Sequence, residues 1–191
     1  MNQQIILAST SPRRKQLFSL LGVKFAAVDS GYEEVITQDL PHDKLVVKLA
    51  LGKAEEAAKK YKNAIIIAAD TVVSFNGIAL GKPKTKEEAI KVLKNLSGKK
   101  HLIVTGLVIL NSKTKKVFKA ANTVKIYFRK LSNQEILNYI KTGEPFDRAG
   151  AYAFQHKGFN LVEKMDGDVT TAIGLPMEIV YNGLKKFGVK I

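Results

Sequence analysis

Apolar residues in this chain fall into short unbroken runs and into stretches of helical period, and the two kinds of signal alternate. Ile5-Ile6-Leu7-Ala8-Ser9 reads as a short buried strand. A helix start follows at once, with Ser11 as N-cap, Pro12 at the first helical position, and Leu17, Leu20 and Leu21 at apolar spacing before Gly22 stops it. The segment 24–28 is strand-like. Over 43–61, Leu45, Val46, Leu49, Ala50, Ala54 and Ala57 recur with helical period. Ala64-Ile65-Ile66-Ile67-Ala68-Ala69 is a continuous apolar run, as in a central strand covered on both faces; it ends at Asp70-Thr71 and resumes as Val72-Val73-Ser74-Phe75.

Polar punctuation sets the remaining boundaries. Asn76-Gly77 marks a two-residue hairpin. Thr85-x-x-Glu88 is a capping box opening a helix over 86–96 that Gly98 closes, and Ser132-x-x-Glu135 opens another that ends near Gly143. Between them lie two strands, 102–110 and 117–128, joined by the polar turn Asn111-Ser112-Lys113-Thr114. The stretch 144–174 is glycine-rich and irregular, and Pro176 begins a last helix to about Phe187 through Ile179, Val180 and Leu184. Helices and strands alternate but hairpins interrupt them, so the pattern predicts a mixed α/β fold, a mixed sheet with helices packed on it, rather than a doubly wound parallel sheet. No repeat or linker divides the chain, and one domain over 1–191 suffices.

Composition narrows the class. At 191 residues, 46% hydrophobic and 25% charged, the chain has a globular balance. No apolar run approaches a membrane span, and the N-terminus runs into a strand without the regions of a secretory signal. Cysteine is absent, which excludes disulfides and thiolate metal sites. A cytoplasmic location without a membrane partner is the expectation. The net charge of +14 favours anionic partners: nucleic acid, acidic lipid or small polyphosphates. The lysines are scattered, many on predicted helix faces where solvation explains them, and no helix-turn-helix, RNP-like strand or basic arm appears, so no specific nucleic-acid partner is expected.

Ser9 to Arg14 carries the clearest chemical signal. A strand ending at a helix N-terminus offers backbone N–H groups and the positive end of the helix dipole. Arg13 and Arg14 oppose that dipole unless an anion sits there and a guanidinium closes on it; alternatively Ser11 only caps and the arginines are solvated. Asp70, at the expected end of a central strand, is a candidate ligand-side carboxylate that needs a divalent cation or a lysine as partner, or else a turn residue. Glu33-Glu34 offers a second carboxylate, and Lys53 and Lys82 are candidate phosphate partners. His42, His101 and His156 show no metal-ligand spacing and read as structural or exposed. GxxxxGK[ST] and GxGxxG loops are absent, so phosphate chemistry here uses another scaffold.

These segments together resemble the Maf family of nucleoside triphosphate pyrophosphatases. The matching motifs are Leu7 to Arg14, Ala69-Asp70-Thr71-Val72-Val73, Gly81-Lys82-Pro83, Leu96-Ser97-Gly98-Lys99-Lys100-His101, Thr105-Gly106, Glu144 to Tyr152 with Gln155, and Gly174-Leu175-Pro176. They keep the family's order over nearly the whole chain. The resemblance implies an elongated mixed sheet flanked by helices, related to the inosine triphosphate pyrophosphatases and usually a homodimer. It implies hydrolysis of a nucleoside triphosphate between its α and β phosphates, dependent on a divalent metal cation (Mg²⁺ or Mn²⁺). Asp70 falls on the family's proton acceptor, with Asp70 and Glu34 as candidate metal ligands. Ser9, Arg13, Glu34, Lys53 and Lys82 match pocket positions. Arg14, Thr71 and Gln155 match positions linked to base preference, and their identities look like the branch acting on dTTP and UTP.

Three departures bear on the base rather than the reaction. Arg148 stands where the family often has lysine, Ala153-Phe154 replaces Gly-Ile, and Asp168-Val169-Thr170-Thr171 differs from the commoner form. The implied mechanism follows from charge: Arg13, Arg14, Lys53 and Lys82 neutralise the phosphates beside the cation. Asp70 either handles the attacking water or holds the metal. The same chemistry on another base is the leading alternative; a nucleic-acid-binding regulator is a second.

Overall fold

A computed structural model describes residues 3–34 and 39–191. Its contacts divide the chain into two compact units, one of residues 1–70, 105–122 and 174–191, the other of 71–104 and 123–173. In chain order the elements are β1 (Gln4–Ala8), α1 (Pro12–Ser19), β2 (Ala26–Val28), α2 (His42–Lys60), β3 (Ala64–Phe75), β4 (Ile78–Leu80), α3 (Lys86–Leu96), β5 (Lys100–Asn111) and β6 (Val117–Phe128). Then come α4 (Asn133–Ile140), three short 3₁₀ turns, β7 (Val162–Asp166), α5 (Val169–Ile173) and α6 (Met177–Lys186). The sheet runs β2-β1-β3-β5-β6-β7, with β4 pairing on β3. β1 is parallel to β2 and β3, whereas β3–β4 and β6–β7 are antiparallel, so the sheet is mixed as the pattern predicts.

In the first unit the run Ala64–Ala69 is fully covered, and Ile6, Ala8, Ile66, Ala68, Val108 and Leu110 pack under Ala50, Ala54, Ala57 and Ala58 of α2. The small alanine face lets α2 lie close on the sheet. Backbone comes close to backbone at Gly106, where a Cβ would meet the backbone of Val46 at 2.5 Å. At the turn after β5, the Asn111 side chain accepts from the backbone N–H groups of Lys113 and Thr114, both at 3.0 Å, and the Ser112 N–H donates to Ala64 O at 2.9 Å.

The second unit has its own core, built from Leu93 and Leu96 of α3, Val124, Ile126 and Phe128 of β6, Ile136 and Ile140 of α4, and Tyr152 and Phe154. Phe128, His101 and Tyr152 meet edge to face. Of the two capping boxes read from sequence, the one at α4 closes, Ser132 and Glu135 exchanging bonds reciprocally; at α3 only half forms, since Thr85 accepts from Glu88 N–H while the Glu88 carboxylate accepts from Lys84 N–H at 2.7 Å instead of from Thr85. Asn76 (φ 51°) and Gly77 (φ 81°) form the β3–β4 hairpin with positive φ at both positions.

The structure differs from the sequence pattern at three places. Asp70 does not end a strand: β3 continues through it to Phe75, because β4 pairs with Val73, Ser74 and Phe75 beyond that carboxylate. Ser11 is the N-cap residue of α1 but its side chain makes no capping bond; its N–H instead donates to Ser9 Oγ at 3.3 Å. The stretch after Glu144 is not wholly irregular, since it holds β7 and α5.

Candidate active site

The local structure that builds the site starts where β1 stops. β1 pairs with β3 up to Leu7–Ile67, then turns at Ser9, whose N–H donates to Leu7 O at 2.9 Å, and enters α1. β3 runs on beyond its last β1-paired residue, which brings Asp70 past the end of β1 on the side where α1 begins. Ser9 is buried there. The first turn of α1 contains no acidic residue, so its positive end has no carboxylate of its own.

Lys53, from the face of α2 that covers the sheet, meets Asp70 directly. The two are 8% and 5% exposed, and their side chains form an ion pair and hydrogen bond. The same ammonium holds Glu34 Oε1 at 2.6 Å, on a carboxylate that is 45% exposed. Burying the Lys53 charge is tolerable because two carboxylates share it. Arg14 completes the group. It is half-buried, its Nε donates to Gly174 O at 2.8 Å, and its charge is felt by both Asp70 and Glu34.

These charges pull on one another. Burial raises the Asp70 carboxyl above its ordinary value and outweighs the lowering by Lys53 and Arg14, while Glu34 adds to the rise. Burial likewise pushes the Arg14 guanidinium below its ordinary value, and Asp70 and Glu34 pull it back. The result is a buried carboxylate of raised proton affinity, touched by one ammonium and within the field of one guanidinium.

The first unit thus brings Arg14, Glu34, Lys53 and Asp70 into one interacting cluster, with Ser9 at the end of β1. Arg13, half-buried, is next to Arg14 in α1. Thr71, Lys82 and Gln155 belong to the second unit. Thr71 follows Asp70 in β3 and is half-buried, Lys82 is exposed on the segment between β4 and α3, and Gln155 is half-buried before the third 3₁₀ turn. Among the described residues no group of three or more His, Cys, Asp or Glu side chains is arranged to hold a metal. The pair Asp70 and Glu34 still offers hard oxygen donors converging on one point, now taken by an ammonium. That suits a hard divalent cation taking its remaining ligands from water and phosphate.

The departures noted in sequence have structural partners. Asp168 accepts from the N–H and hydroxyl groups of both Thr170 and Thr171, at 2.6 to 3.0 Å, and so caps the start of α5. Burial would raise its carboxyl, but those bonds hold it below the ordinary value. Ala153 N–H donates to the Tyr139 hydroxyl at 3.3 Å, and Phe154 packs edge to face on Phe159. His101 is buried against Tyr152 with Nε2 2.7 Å from the hydroxyl, a structural role as its spacing suggests, and the His156 side chain lies outside what is described. Sequence reasoning missed the Gly174 carbonyl as the anchor of Arg14, since a backbone acceptor 160 residues away leaves no local signal.

Residues 4–187 match the family described as Maf-like protein. The chain belongs to the Maf family. Relatives of this Maf-like chain span nearly its whole length. It is 44% identical over 190 residues to a dTTP/UTP pyrophosphatase of Methanosarcina barkeri, covering 99% of this chain and 96% of that one. It is 42% identical over 190 residues to a protein of the same name from Caldicellulosiruptor saccharolyticus, covering 97% and 96%. Among solved structures, the Ham1 protein of Staphylococcus aureus aligns with a TM-score of 0.56 over 97% of both chains at 15% identity, which is a likeness of fold. The Maf assignment and the mixed, helix-flanked sheet therefore agree with the expectations from sequence. No helix among the described residues is long and apolar enough to cross a membrane.

Proposed function

We propose that this Maf-like protein is a nucleoside triphosphate pyrophosphatase that hydrolyses dTTP and UTP to the monophosphate and pyrophosphate. The observation that carries the proposal is the buried Asp70 paired with Lys53, whose ammonium also holds Glu34, with the charge of Arg14 acting on both carboxylates. Relatives named for that activity, at 42% and 44% identity over nearly the full chain, support the substrate class.

Each residue has a part in the reading. The triphosphate carries about four negative charges, and attack at the α phosphorus is opposed until they are neutralised. Ser9, the start of α1, Arg13, Arg14, Lys53 and Lys82 supply donors and positive charge to the phosphates. Asp70 orients the attacking water and takes its proton, and burial makes it a stronger base than an exposed aspartate. Thr71 and Gln155, with Arg14, set the base preference. Glu34 and Asp70 would hold a divalent cation, Mg²⁺ or Mn²⁺. When bound, the cation supplies Lewis-acid stabilisation of phosphoryl oxygens. Lys53 stands where it can balance both carboxylates without it.

The rest of the reading is coarser. The single domain over 1–191 is proposed because one family match spans both compact units. A cytoplasmic homodimer is proposed from the family resemblance. The experiment is a panel of canonical and modified triphosphates with and without Mg²⁺ or Mn²⁺, following pyrophosphate release. dTTP and UTP are expected to head the panel; a different base at its head would overturn the substrate, and no pyrophosphate from any member would overturn the activity.

A further inference from the structure

Gly52 sits inside α2, between Leu51 and Lys53, where glycine weakens a helix for want of a side chain and through its backbone freedom. It shows none of the positive φ that explains glycine elsewhere in this chain, so its backbone does not require it. Space does. A Cβ at Gly52 would stand 2.3 and 2.4 Å from Cε2 and Cζ of Tyr32 and 2.9 Å from its hydroxyl, so the outer end of the Tyr32 side chain fills the gap that the missing side chain leaves.

Tyr32 belongs to the short segment after β2 that carries Glu34. That segment is built tightly: Gly31 has φ 71°, its N–H donates to Asp29 Oδ1 at 2.9 Å, and Tyr32 N–H donates to the buried Ser30 Oγ at 3.2 Å. The contacts run in step. Tyr32 seats on Gly52, and Glu34, two residues on, reaches Lys53, the next residue of the helix.

We propose that Tyr32 and Gly52 are positioning residues, a ring and its seat that hold Glu34 on Lys53 and thereby fix the charge balance at Asp70. The inference rests on the reading of Asp70, Lys53 and Glu34 as the reacting centre. Glu34 is 45% exposed, so its own burial does little to locate it, and the ring is the apolar anchor of its segment. A methyl at position 52 strikes the far end of a movable side chain rather than backbone, so the helix accepts it while the ring is expelled.

The test is Gly52→Ala in the full-length protein, compared with Tyr32→Ala, Glu34→Gln and the two double variants Gly52→Ala/Tyr32→Ala and Gly52→Ala/Glu34→Gln. Thermal midpoints are measured with kcat and KM for pyrophosphate release from dTTP. Gly52→Ala is expected to leave the midpoint unchanged or raise it, yet to lower kcat/KM by about 10- to 100-fold, with the same split between kcat and KM as Glu34→Gln. It should add nothing once Tyr32 is alanine, and nothing once Glu34 is glutamine. Full activity in Gly52→Ala, or a further loss when it is added to either Tyr32→Ala or Glu34→Gln, overturns the proposal and leaves the reacting centre standing. A fully active Glu34→Gln overturns it together with the role given to Glu34.

Discussion

A carboxylate that is 5% exposed, as Asp70 is, loses most of the water that stabilises its charge, so its proton affinity rises even with Lys53 and Arg14 beside it. That combination separates two variants that superficially look alike. Asp70→Asn keeps the shape and leaves Lys53 paired with Glu34, so the protein should fold normally while turnover from dTTP falls by about 10²- to 10⁴-fold. Near-normal turnover in that variant would remove Asp70 from the mechanism. Lys53→Met instead leaves Asp70 buried without its ammonium, and breaking a buried pair from one side should cost about 3 kcal/mol or more in urea denaturation. The sequence made Asp70 legible through the apolar run before it, Lys53 as a candidate phosphate partner and Glu34 as a second carboxylate, both at positions matching the family's pocket. It could not pair them, because the contacts join segments 17 and more residues apart on a loop, a helix and a strand.

Helix α2 shows how an element is located by what it lacks. Its alanine face and Gly106 of β5 bring backbone against backbone, and a Cβ at position 106 would meet Val46 C, Val46 O and Val47 N within 2.7 Å. Unlike a side-chain tip, that backbone has nowhere to move without shifting the helix. Gly106→Ala should therefore destabilise the protein by about 1–3 kcal/mol or more, seen as a lower urea midpoint, and should impair turnover by displacing Lys53. An unchanged midpoint would refute the close packing. Elements with a strong local signal were all legible: α3 and α4 through their capping boxes, β3 through its apolar run, the β3–β4 turn through Asn76-Gly77. β7 was not, because Val162–Asp166 is a half-exposed strand carrying Glu163, Lys164 and Asp166, and its hydrogen bonds come from β6 rather than from any pattern of its own.

For the molecule as a whole, the +14 charge matches an enzyme of anionic substrates, and its self-repulsion works against the compact state. Acid sensitivity has a more specific source. Burial lowers His101 from 6.5 to about 4, so the unfolded chain takes up a proton that the folded chain refuses across that interval. The stabilisation from the neutral ring is fully present above pH 6.5 and is lost as pH falls towards 4, by about 3 kcal/mol in all. Denaturant midpoints measured from pH 7.5 to 4 should show that slope, and His101→Gln, which cannot take a charge, should flatten it; an equal slope in the variant would assign the acid sensitivity elsewhere. Sequence by itself determined the kinds of element, their caps and turns and the family's motifs, because each is written in residues a few positions apart. Only the tertiary structure decided that β3 runs on through Asp70, that Lys53 stands between Asp70 and Glu34, and that Tyr32 fills the space over Gly52. Those depend on strand neighbours and on the room one backbone leaves another, which neighbouring residues in the chain do not encode.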